Sequence, residues 1–219
     1  MTSGKSLASF TLVLTLLISL PAQAVVGTIV VSLGRTSDAR PIEVGFSADA
    51  RVVAAGMTMN SKINYQSERL RDQAIVEGQQ VTIIQRYDLG KTWILMTPTM
   101  YMEHELGTAL QAPDYTLVMK EAVGEEVING VETTKYETIY QSAQGRFGGF
   151  TWVNEDNIAV KGTLFSETGG KREEISFELT NLDISEQPEE LFELPAGANK
   201  FDMSNFGGMM NSLKQQYAR

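Results

Sequence analysis

His104 is the only histidine of the chain and cysteine is absent, so any general base or soft metal-ligand set has to be built around that imidazole. Met100, Met102 and His104 are spaced by two, the period that puts residues on one face of a strand. Two thioethers and an imidazole suit Cu(I) better than a hard cation. Methionine is equally an adaptable apolar filler, and in a chain with ten of them that reading is preferred, with His104 as a rim residue. No metal or cofactor is expected. Nucleophilic chemistry finds no footing either: there is no G-x-S-x-G elbow, and Thr108 stands where an H-E-x-x-H motif beginning at His104-Glu105 would need its second histidine. Neither a P-loop nor a G-x-G-x-x-G fingerprint is present. The carboxylate pairs Glu125-Glu126 and Glu189-Glu190 are of the kind that solvates an acidic surface. The chain is expected to be a binding protein and not an enzyme.

The elements that would position such residues are strands. From Gly56 onward the chain runs in short alternating segments punctuated by turn residues, the pattern of an antiparallel meander. Met57, Met59, Ile63 and Tyr65 share one face of a first strand, with Thr58, Asn60, Lys62 and Asn64 opposite. Strands follow over Arg69 to Val76, Val81 to Tyr87, Thr92 to Met96 and Met100 to Glu105. In Thr92 to Met96 both faces are apolar, Trp93 and Leu95 on one and Ile94 and Met96 on the other, so cover is expected on both sides. Tyr115 to Ile128 leads into Asn129-Gly130, the strongest short hairpin signal in the chain, and Val131 to Gln141 returns. Phe147 to Val153 and Ile158 to Ser166 flank a polar turn at Asn154 to Asn157. Gly169-Gly170 then turns the chain into Arg172 to Ile184, where Ile175, Phe177 and Leu179 point one way and Glu174, Ser176, Glu178 and Thr180 the other. Val25 to Leu33 has strand composition, whereas Arg35 to Ala50 shows no period and is not placed. At the other end Phe206, Met209, Met210, Leu213 and Tyr217 follow helical spacing, weakened by Gly207-Gly208, which predicts a short amphipathic tail.

The N-terminus predicts the compartment. Lys5 supplies a positive n-region, Leu7 to Leu20 an apolar h-region, and Ala22-Gln23-Ala24 an A-x-A cleavage site. Pro21 and Gln23 interrupt the apolar run short of the length a membrane span needs. A cleaved signal peptide and a soluble periplasmic protein without a stable membrane anchor are therefore expected. The chain carries 18 basic and 27 acidic residues, a net charge of −9, and Lys5 is the only charge before Val25. Such a surface repels nucleic-acid phosphates, and its basic residues form no stripe, so nucleic acid is not an expected partner. The divisions implied are a signal peptide (1–24), an N-terminal strand and irregular segment (25–55), a sheet domain (56–203) and a helical tail (204–219).

Several stretches resemble a known family. MNSKINYQSERLR (Met59 to Arg71) and WILMTPTMYME (Trp93 to Glu103) are similar to the first half of an uncharacterised family of secreted bacterial domains related to the outer-membrane lipoprotein carriers. VGEEVINGVETTKYE (Val123 to Glu137) looks like that family's "G-x-E-x-x-x-G-x-x-x-x-K-Y" strand pair. Trp152-Val153 with Ile158-Ala159-Val160-Lys161 resembles its next hairpin, and PEELFELPA (Pro188 to Ala196) its "P-x-x-L-F-x-L-P" ending, the most specific of these. The resemblance implies a mainly β fold, a strongly curved antiparallel sheet forming an open half-barrel, here with a short C-terminal helix. It further implies an apolar face that holds acyl chains of a lipid or lipoprotein. Alternation nominates Met57, Met59, Ile63, Trp93, Leu95, Met100, Met102, Phe177 and Leu179 as groove residues, without saying which face is concave. A structural or adaptor module that binds another envelope protein is the alternative, and a copper protein using Met100, Met102 and His104 a more remote one.

Overall fold

Period-two alternation, closed by residues able to adopt positive φ, builds most of the chain into strands. The computed structural model describes residues 41–54, 56–76, 79–105, 116–143 and 145–201; the expected signal peptide, the strand at Val25 to Leu33 and the helical tail lie outside them. The strands are β1 (Phe46–Ala54), β2 (Met57–Gln66), β3 (Arg69–Val76), β4 (Gln79–Arg86), β5 (Lys91–Thr97), β6 (Met100–Glu105), β7 (Thr116–Ile128), β8 (Val131–Gln141), β9 (Gly145–Val153), β10 (Ala159–Thr168), β11 (Lys171–Ile184) and β12 (Asn199–Lys200). They form one 12-stranded sheet in the order β12-β6-β5-β4-β3-β2-β1-β11-β10-β9-β8-β7. The sheet is curved and unclosed. Every described pairing is antiparallel except that of β12 with β6. The expected mainly β half-barrel is the fold observed.

The turns follow their chemistry. Asn129 (φ 51°) and Gly130 (φ 83°) both take positive φ, the pairing a type I′ hairpin demands. Their strands β7 and β8 end and begin where the sequence places them. Gly169 and Gly170 behave alike, with φ of 59° and 75°. The turn between β2 and β3 is less conventional, because Ser67 and Glu68 both adopt positive φ without being glycine or asparagine. The backbone N–H of Glu68 donates to the Tyr65 hydroxyl (3.3 Å) and its carbonyl accepts from Tyr87 N (3.0 Å).

The segment Arg35 to Ala50, unplaced by periodicity, supplies the start of a central strand. β1 pairs β2 on one side and β11 on the other, joining the two meanders into one sheet. Phe46, Ala48, Ala50 and Val52 alternate on one face and are buried, at 0, 2, 3 and 1% exposure. Register carries the same face outward to Ile63 and Tyr65 of β2, Leu70 of β3, Phe177 and Leu179 of β11 and Leu164 of β10. These residues form the main core. Gly162 stands opposite Phe177, and the ring covers it so closely that a Cβ there would run into the ring.

A smaller core lies on the opposite face. Ile84, Trp93 and Leu95 are closed over by Phe192, which sits in a 3-10 turn at Glu189–Phe192. The P-x-x-L-F-x-L-P ending is thus a clasp. Arg71 Nη1 donates to the carbonyl of Leu191 (2.8 Å), and Arg86 pairs with Glu193 (2.6 Å) while its fork also grips Asp88 (2.7 and 2.8 Å). The Arg69 guanidinium lies 5.4 Å over the Phe192 ring. Beyond the clasp the chain runs back along β6 as β12, with Asn199 N donating to Thr99 O and Phe201 N to Tyr101 O.

Candidate functional site: the apolar face of the sheet

Two cross-strand rows define the site. On the β2 to β6 side, Ile63, Asp72, Ile83, Ile94 and Met102 are direct neighbours on successive strands, and Ala48 of β1 continues the row beyond Ile63. On the other side Val52, Phe177, Gly162, Thr151 and Tyr136 follow one another from β1 to β8. Period-two geometry puts both rows on the face that carries Phe46 and Leu179. The face therefore runs from β6 to β8, apolar at its centre and edged by hydroxyls. Two of these, Ser61 Oγ and Thr138 Oγ1, are buried and make no hydrogen bond.

The nine groove candidates divide between the two faces. Ile63, Phe177 and Leu179 lie at the buried centre of the apolar face, at 0, 2 and 2% exposure; Met102, at 6%, lies farther out opposite Ile94. Met59 is half-buried on the same face and Met57 is exposed at its end. Trp93 and Leu95 are on the opposite face, under Phe192, so the structure does not bring them to the other candidates. Met100 pairs with Thr97 across a register shift and with Asn199 of β12. Alternation within β5 separates Trp93 and Leu95 from Ile94 correctly. It carries no mark of which pair belongs with Ile63.

Met100, Met102 and His104, the soft-ligand candidates, all stand on β6, with Met102 buried and the other two half-buried. His104 is half-buried and pairs across the ladder with Thr92. Among the described residues no cluster of three or more His, Asp and Glu residues could hold a metal ion.

Residues not singled out by periodicity complete the site. Phe46, Ala48, Ala50 and Val52 belong to it and escaped notice because β1 is rich in alanine, a poor strand signal. Ile83 and Ile94 could have been found from the apolar alternation of their own strands. On the opposite face the perturbed group is Glu103, which accepts from Lys200 Nζ (2.9 Å) and Trp93 Nε1 (3.0 Å) and lies 3.5 Å from Lys91 Nζ. Those donors hold its carboxyl down at about 2. Its geometry is that of a bolt between β12, β6 and β5.

A face of this extent on a sheet whose two ends never meet is the geometry of an open half-barrel. The fold is mainly β, one large curved and unclosed sheet. No protein-family model and no curated protein matches the chain. Among solved structures the sheet is similar to a chain of the MucA/MucB complex of Pseudomonas aeruginosa, at 16% identity and a TM-score of 0.46, over 72% of this chain and 58% of that one. It is similar also to the lipoprotein LppX of Mycobacterium tuberculosis, at 12% identity and a TM-score of 0.40, over 64% of this chain and 88% of that one. A LolA-superfamily protein of Nitrosomonas europaea gives 10% identity and a TM-score of 0.35, over 77% and 98%. The chain thus spans less than two thirds of the MucA/MucB match. Among the described residues no helix is long and apolar enough to cross a membrane.

Proposed function

We propose that this protein is exported to the periplasm and acts without catalysis, holding an acyl chain of a lipid or lipoprotein against the apolar face of its sheet. One observation carries the reading: the rows on one face of an unclosed sheet gather large apolar side chains, Ile63, Ile83, Ile94 and Met102 on one side, with Asp72 between the first two, and Phe177 and Leu179 of β11 on the other. Half-buried Met59 and Met96 and exposed Met57 continue these rows outward, and flexible thioethers adapt to chains of differing shape. Each ligand methylene taken out of water would contribute about 0.8 kcal/mol. Export rests on the tripartite N-terminus, and peptide mass data on the native protein should show Val25 as the first residue.

The binding test is titration of the delipidated protein with a fluorescent fatty acid. Saturable binding is expected, weakened about tenfold or more by Met59→Asp, since a charge in an apolar groove costs at least a few kcal/mol. Ile75→Asp, at an exposed position on the opposite face, should leave it unchanged. Absence of saturable binding, or equal loss in both variants, would remove the acyl reading.

A further inference from the structure

Ala50 of β1, Ser61 of β2 and Ala74 of β3 are direct neighbours on successive strands, and Val81 of β4 and Leu179 of β11 continue the row at its two ends. The row lies on the apolar face, with Ile63 and Ile83 in the row on one side of it and Val52, Met59 and Phe177 in the row on the other. Small side chains between rows of larger ones make a shallow trough that crosses the strands, which lie about 4.8 Å apart. Exposure increases along it: Ala50 is 3% and Ser61 8% exposed, whereas Ala74 and Val81 are half-buried. The trough thus opens towards β4 and is deepest at β1. Alanine asks nothing polar of what lies on it. Ser61 does, because its Oγ is buried and makes no hydrogen bond, and a buried hydroxyl is costly until a partner meets it.

The surroundings decide what that partner is. Asp72, diagonal to Ser61 on the same face, is itself buried, and a second negative charge beside it is disfavoured where water is excluded. The group over Ser61 is therefore uncharged. A serine hydroxyl both donates and accepts, so a ligand hydroxyl uses it more fully than an ester oxygen, which only accepts. Apolar side chains at both ends of the row, Leu179 and Val81, call for carbon on both sides of that oxygen. We propose that Ser61 is the polar contact of the acyl site and selects a chain with a hydroxyl close behind its head, as in a 3-hydroxyacyl group. The head lies over Ala74 and Val81, where the trough opens, and the tail over Ala50 and Leu179. The proposal rests on the acyl-binding reading and adds to it the class of chain.

Displacement of a fluorescent fatty acid from the delipidated protein tests it, with 3-hydroxytetradecanoic acid and tetradecanoic acid as competitors. The hydroxy acid should bind about fivefold more tightly, the yield of one net hydrogen bond. Ser61→Ala should abolish that preference and leave tetradecanoic acid bound as before. The same substitution removes a hydroxyl without a partner, so the ligand-free variant should unfold at a urea concentration no lower than the parent does. A lower midpoint would mean that the protein itself satisfies Ser61, and would overturn the proposal. Equal binding of the two acids, tighter binding of the plain one, or a preference that survives Ser61→Ala also overturns it and leaves acyl binding standing. Displacement by neither acid, with no saturable binding of the probe, removes both readings.

Discussion

At Glu103 of β6 a single carboxylate meets three donors from the two neighbouring strands: Lys200 of β12, and Trp93 and Lys91 of β5. Its pKa falls from the ordinary 4.5 to about 2, first through the Lys200 bond and then through Trp93. A depressed folded-state value means that the unfolded chain binds the proton more readily, so this contribution to stability is whole above pH 4.5 and is lost as pH falls towards about 2. Glu103→Gln should therefore unfold at lower denaturant concentration than the parent near neutral pH, and the two midpoints should converge in strong acid. A midpoint difference that persists there would mean that packing, and not charge, makes the bolt. Gly149 makes a different demand. Its φ of 131° lies in the left-handed half of the map, and a Cβ would collide with Thr163 O and Leu164 Cα of the neighbouring strand. Because backbone cannot swing aside as a side-chain tip can, Gly149→Ala should cost about 2 kcal/mol or more, read as a drop in the urea midpoint.

At the scale of elements the clasp is the least expected feature. Pro188 to Pro195 carries a recognisable pattern, yet nothing local says that Phe192 will be fully buried against Ile84, Trp93 and Leu95. Phe192→Ala should destabilise the protein by about 3–5 kcal/mol and, by opening the cover over Trp93, shift the tryptophan emission to longer wavelength. An unchanged spectrum would show that the indole is shielded without the clasp. The hairpins are more transparent. Asn129-Gly130 announces the β7 to β8 turn because its φ values are open to few other pairs, whereas Ser67-Glu68 turns the chain with residues that give no such notice. β1 was hidden for a related reason. Ala48, Ala50 and Ala54 are weak strand formers, and it is Phe46, stacked on Tyr65 at 5.6 Å, together with pairing on both sides, that makes the strand.

At the scale of the whole molecule, the sheet has two working faces and two unlike ends. The apolar face runs through the centre from β6 to β8, the opposite face is closed between β3 and β6 by the arginine-gripped clasp, and the edges are the short β12 and the long, exposed β7. Charges placed on the two faces should therefore act differently: Met59→Asp should weaken fatty-acid binding about tenfold or more while Ile75→Asp, exposed on the opposite face, spares it.

The sequence by itself determined the strand character, the hairpins from β2 to β6 and from β7 to β11 and nearly all their limits, because turn dihedrals and side-chain alternation are properties of neighbouring residues. It also settled which residues within one strand share a face. Tertiary structure alone decided which of the two sheet faces each set would join, since a period of two is satisfied equally by either. Hence Trp93 and Leu95, as apolar as Ile94, lie under Phe192 and not beside Ile63. Tertiary structure likewise decided the pairing of Val52 with Phe177 and of Lys200 with Tyr101. Those contacts join segments remote in sequence, and they form because burial of the joined faces outweighs the entropy of closing the long loops between them.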